Sequence, residues 1–227
     1  MPQDLIDYIE REILPRYASF DAAHRIDHAR MVIEQSLQLV ETINSSADYV
    51  DDDGQKLQVS PTLAYTIAAY HDTGLCEGRE HHHTVSARII RNDKTLLRWF
   101  SPDEINLMAD AAEDHRASAK SAPRTIYGRI VAEADRFIDP ETIIRRTVQF
   151  GLDHYPELSV DEHYHRTLEH LHEKYGDGGY LHLWFADSPN AARLEALRVI
   201  IRQADEALPQ LFAQIWESLT QTTPQLR

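Results

Sequence analysis

An all-α fold is what this chain predicts, and three observations carry that prediction. Apolar residues recur at helical spacing along most of the 227 residues, and alternating strand patterns are nearly absent. Aspartate or proline also stands where several helices would start, as at Asp4, Pro61 and Asp139-Pro140. With 42% hydrophobic and 26% charged residues, 8 Gly and 10 Pro, the composition excludes a disordered polyelectrolyte and a linker-rich chain. The length suits one domain over residues 1–227, with a core over about 20–140 and a C-terminal helical extension over about 141–227.

The elements follow in order. Leu5, Ile6, Ile9, Ile13 and Leu14 form an apolar stripe that Pro15 should end or bend. A second helix, from about Ala22 to Ile43, carries Ile26, Met31, Val32, Leu37, Leu39 and Val40 on one broad side. Residues 44–58 have turn chemistry and read as an exposed loop. The run PTLAYTIAAY from Pro61 is apolar nearly all round, as a central buried helix should be, and leads directly into His71-Asp72. Further helices are expected at about 81–92, 102–114, 123–137, 139–150, 159–174, 189–206 and 208–219, with a break at Gly176–Gly179.

Charge and cysteine content narrow the function. With 23 basic and 37 acidic residues the net charge is −14, which argues against tracking extended nucleic acid and against docking on anionic membranes. Cys76 is the only cysteine, so a disulfide framework and a Cys-rich metal site are both excluded, and Cys76 itself reads as a small core residue. The first residues show no basic segment followed by an apolar run, and a cytoplasmic protein is expected. Phosphate-cradling glycine motifs and a serine-hydrolase elbow are missing from the sequence.

What stands out is 13 histidines. His24 and His28 lie four apart, at or near the start of the second helix, a spacing that offers two imidazoles to one site or makes a half-buried structural pair. His71-Asp72, at the end of a buried helix, needs a compensating positive charge, which a divalent metal or an arginine could supply. His82 and His83 begin the next helix and His115 ends another. Asp135 has Ile130, Val131, Ala134 and Phe137 as neighbours and should point inward, whereas Asp110, Asp114 and Glu133 read as solvated charges. His163, His165, His170 and His172 share a helix with several glutamates and read as a solvated polar face, with a second metal site as the alternative. The stretch GDGGYLHLWF suits a covering loop or a packed turn.

The order His28, His71-Asp72, His82, His115, Asp135, in the words HRIDHARMV, AYHDTGL, REHHHTVSARII, EDHRAS and YGRIVAEADR, resembles the HD-domain superfamily of metal-dependent phosphohydrolases. The resemblance implies an all-α HD-domain core with additional C-terminal helices. It also implies a metal set of His28, His71, Asp72 and Asp135, joined by His82 and His115 in two-metal members, with His83 competing for the place of His82. Asp72, with two oxygens, is then the natural bridge, and Asp72, His82 and His115 carry the catalytic role. One or two divalent transition ions are implied (Mn, Fe, Co, Ni or Zn), which suit a His/carboxylate set. Two such ions against two carboxylates leave the site at about +2, so an acidic protein can attract phosphate locally. Arg25, Arg79, Arg116, Lys120 and Arg124 adjoin ligand motifs and are candidate phosphate contacts. His24 would orient a carboxylate or protonate a leaving group. The expected partner is a small phosphorylated substrate, with a homodimer as a further option. A di-iron oxygenase and a non-catalytic sensor are the alternative functions.

Overall fold

The computed structural model describes residues 1–21, 24–50, 53–116, 121–136 and 138–221. Lys120, among the candidate phosphate contacts, lies outside them. The described residues are helical, with ten α-helices and one isolated β-bridge, between Val50 and Lys56. Contacts group the chain into two compact units, Met1–Arg136 and Phe137–Arg227.

The first unit holds α1 (Gln3–Tyr8), α2 (Ile26–Ser45), α3 (Pro61–Tyr70), α4 (His82–Asn92), α5 (Pro102–Glu113) and α6 (Ile126–Ala134). Near Pro15 the first helix does not stop. It widens into a π-turn at Ile9–Ile13 and tightens into a 3-10 turn at Leu14–Ser19, which accommodates a proline that lacks the helical N–H. Asp4 lies in the first turn of α1, after the N-cap residue Pro2.

The central helix α3 is set at its start by Pro61 and by the Ser60 hydroxyl, which accepts from the Leu63 N–H. Every residue from Leu63 to Tyr70 is buried, and α2, α5 and α6 pack around it. Local chemistry starts the later helices as well: Ser101 and Glu104 form a reciprocal capping box on α5, and Thr125 caps α6 through the Gly128 N–H. After α2, the Asn44 side chain holds both the N–H and the carbonyl of Val59, so the loop between them begins and ends at one point.

The second unit holds α7 (Pro140–His154), α8 (Val160–Tyr175), α9 (Pro189–Arg202) and α10 (Ala207–Gln221). Its core includes Ile144, Val148, Leu171, Leu197, Ile201, Leu208 and Ile215. Leu181 and Phe185 are buried in the same unit, which makes GDGGYLHLWF a packed turn that leaves Tyr180 exposed.

Three expectations change. Cys76 is exposed rather than part of the core. Glu133 is fully buried, since it sits on the inward side of α6 rather than in solvent. His163 is only 1% exposed, whereas His165, Glu169 and His172 of the same helix do face solvent. The 3-10 turns Thr73–Glu77 and Lys94–Arg98 have no counterpart among the predicted helices, because five residues are too few to show a period.

Candidate metal centre

Helix ends build the site. His28 is the third residue of α2, His71 follows the last residue of α3, and Asp72 opens the 3-10 turn Thr73–Glu77. His82 begins α4, His115 lies two residues beyond α5, and Asp135 caps the C-terminus of α6. A side chain at a helix end can aim along the axis into the space between helices, so these elements converge without a long loop.

The donor atoms form two groups that share one residue. In the first, His28 Nε2 lies 3.0 Å from Asp135 Oδ1 and 3.6 Å from Asp72 Oδ2. His71 Nε2 lies 3.3 Å from Asp72 Oδ2 and 3.7 Å from Asp135 Oδ1. In the second, His82 Nε2 and His115 Nε2 lie 3.5 and 3.4 Å from the other oxygen, Asp72 Oδ1, and 3.2 Å from each other. The donors within each group are all within 4.8 Å of one another, a separation that one ion can bridge. His83 joins neither group, and its buried Nδ1 has no hydrogen-bond partner among the described residues.

The other ring nitrogen decides which tautomer each imidazole holds. Nδ1 of His71, His82 and His115 lies 2.7, 2.7 and 2.5 Å from the carbonyls of Ala68, Arg79 and Ala112, in each case three residues earlier. A carbonyl only accepts, so Nδ1 carries a proton, and Nε2 faces the group, where it offers its lone pair once its own proton is lost. Two histidine-bearing groups around the buried Asp72 and the partly buried Asp135 thus fit transition ions on donor chemistry alone.

Electrostatics agree. Burial opposes charge on His71, yet Asp72 and Asp135 beside it win and push its pKa up to about 10. Burial likewise works against His28, but its bonds to Asp135 and Asp72 raise it. Burial would raise both aspartates, yet the neighbouring imidazoles hold Asp72 and Asp135 well below the usual carboxylate range. Without a cation, protons on these imidazoles balance the carboxylates, so ion binding must displace protons and should strengthen as pH rises.

Tyr17 and Gly74 support the site without a signal in the sequence. The Tyr17 hydroxyl donates to the Ala69 carbonyl at 3.0 Å and accepts from the Asp72 N–H at 3.2 Å, which pins the turn between α3 and the carboxylate from 55 residues away. Gly74 donates its N–H to the Ser86 hydroxyl at 2.9 Å. A Cβ on Gly74 would stand 2.0 Å from the His82 carbonyl oxygen, so the Asp72 turn and α4 meet only because this residue is glycine. His24 Nδ1 is 2.7 Å from Asp21 Oδ1, and its ring meets that of His28 edge-on at 5.7 Å.

The candidate phosphate contacts divide. Arg25 is exposed at the N-cap position of α2, and Arg79 is exposed with Asp21 3.9 Å away. Arg124 is committed elsewhere: its guanidinium meets Asp114, Glu113 and Asp110, which occupy the donors that phosphate would need. Arg116 donates from Nη1 to the Glu80 carbonyl at 2.9 Å.

A family model described as HD domain matches residues 25–138, a span that contains every donor of both groups. No curated protein and no solved structure matches the chain.

Proposed function

Since the chain belongs to the HD-domain family, whose superfamily is one of metal-dependent phosphohydrolases, we propose that it hydrolyses a phosphate ester of a small metabolite or nucleotide at a two-ion site. The observation that carries this reading is Asp72, whose two oxygens face two separate sets of histidines. His28, His71, Asp72 and Asp135 would hold one ion, and Asp72, His82 and His115 the other.

When bound, such ions supply Lewis-acid stabilisation of phosphoryl charge and lower the pKa of a water nucleophile. The chain's own contribution is positional. The Nδ1 bonds fix three imidazoles in one tautomer, and Asp72 holds the two groups in register. The second group has three donors against four in the first, which leaves more room for substrate on that side. Arg25, three residues before His28, and Arg79, three residues before His82, are exposed cations near the two groups in sequence and are the candidates to meet a phosphate.

The test is a phosphate-release screen over nucleotides and sugar phosphates, run with metal-stripped chain reloaded with Mn(II), Co(II) or Zn(II). Release should need metal, and Asp72→Ala should lower it on the order of 10³-fold. Oxygen consumption without phosphate release would overturn the reading in favour of redox chemistry.

A further inference from the structure

The two groups differ in how firmly the backbone sets them. In the first, His28 lies within α2, His71 rests on a carbonyl of α3, and Asp135 ends α6. In the second, the orientation of His82 depends on the Arg79 carbonyl, which belongs to the turn over residues 78–81. That turn opens at Gly78, whose φ of +104° lies in the region that favours glycine and whose surroundings are open space. The side chains that follow are 75% exposed at Arg79, 84% at Glu80 and 71% at His81. Its side chains are solvated, so hydrogen bonds rather than side-chain burial hold this turn, and its Arg79 carbonyl orients a proposed metal donor.

Among the described residues, two ties reach this turn from distant parts of the chain. One is the exposed pair Arg79–Asp21 at 3.9 Å, a geometry that contributes little. The other is the 2.9 Å bond from Arg116 Nη1 to the Glu80 carbonyl. Arg116 directly follows His115, so this bond joins the segments that carry the two histidines of the second group, 33 residues apart.

We propose that Arg116 is a positioning residue for the second ion, acting through the Glu80 carbonyl rather than on substrate; the inference rests on the two-ion reading above. The Glu80 carbonyl accepts the guanidinium, and the adjacent Arg79 carbonyl then meets His82 Nδ1 in fixed register. His82 Nε2 is thereby held beside His115 and Asp72. Among the described residues the brace meets the first group only through the shared Asp72, whose other oxygen faces His28 and His71, so the first ion should bind as before when the brace is cut.

The experiment uses the full metal-stripped chain titrated with Co(II), followed by calorimetry and by the visible absorption of the bound ion. The wild type should take up two ions per chain. Arg116→Ala should bind the first with unchanged affinity and the second about 10–100-fold more weakly, the usual effect of removing a partner that orients a ligand. Arg116→Lys, which keeps a donor on a long side chain, should recover part of that loss, a rescue that general destabilisation would not show. If Arg116→Ala binds both ions as the wild type does, or weakens both equally, the positioning role is overturned while the two-ion reading stands. If the wild type takes up a single ion, the two-ion reading falls, and this inference with it.

Discussion

Gly74 shows at the scale of one residue how the frame of the site constrains its sequence. The Cβ of an alanine there would meet the His82 carbonyl oxygen at 2.0 Å and the Ser86 nitrogen at 2.6 Å, both backbone atoms that cannot swing aside. Gly74→Ala should therefore destabilise the chain by about 3 kcal/mol in urea denaturation, since overpacking forces backbone shifts. It should also weaken ion binding, because α4 carries His82. The histidines and aspartates that the structure brings together were named in the sequence through the HD-domain resemblance, whereas the apolar runs beside them showed only that buried ionisable residues need a partner. Their supports were not named: Tyr17 is an ordinary tyrosine two residues after Pro15, and only its hydroxyl's two backbone bonds reveal its part. Conversely, the nearness of Arg124 in sequence to His115 gave no sign of the three acidic neighbours its guanidinium meets.

Between elements, polar side chains act as joints, and two of them can be tested. Asp93 follows α4 and accepts the hydroxyls of Tyr8 from α1 and Tyr70 from α3, at 2.5 and 2.6 Å, while its other oxygen accepts the Thr95 N–H at 3.0 Å. Burial would raise its pKa, but these donors prevail and lower it. A lowered carboxylate stabilises the fold above its unfolded pKa, near 3.9, and that contribution is lost as pH falls through the folded value. Asp93→Asn should cost about 1–3 kcal/mol at pH 7, with the deficit shrinking below about pH 4, as denaturation across pH would record. The second joint is a liability. His163 of α8 is 1% exposed, neither ring nitrogen has a partner among the described residues, and it packs on Trp216 of α10 at 5.1 Å. His163→Leu should raise stability by about 1–2 kcal/mol, read as a higher midpoint in urea, because a buried unpaired polar group is costly. Helix-level patterning located α8 well, but the periodicity of so many polar residues gave no hint that one imidazole turns inward.

At the scale of the molecule, the helical architecture followed from periodicity because nearly every helix has a real apolar face to bury. The short 3-10 turns and the inward Glu133 escaped, since tertiary packing rather than pattern decides them. No helix among the described residues is long and apolar enough to cross a membrane. Every proposed ligand lies within Met1–Arg136, so ions that bind only the folded state should stabilise that unit. At 100 times the dissociation constant, the gain should be about 2.7 kcal/mol, seen as a rise in melting temperature that chelator reverses. An unchanged melting temperature across Mn(II), Co(II) and Zn(II) would count against metal binding. Asp72 also governs how the centre can be dissected. Because one side chain belongs to both halves, a change at position 72 removes the common terminal of two circuits and reports on neither alone. The separable handles are Asp135 on one side and His82 on the other. Comparing their variants would assign each step of an ion titration to its own half, which no change at the shared carboxylate can do.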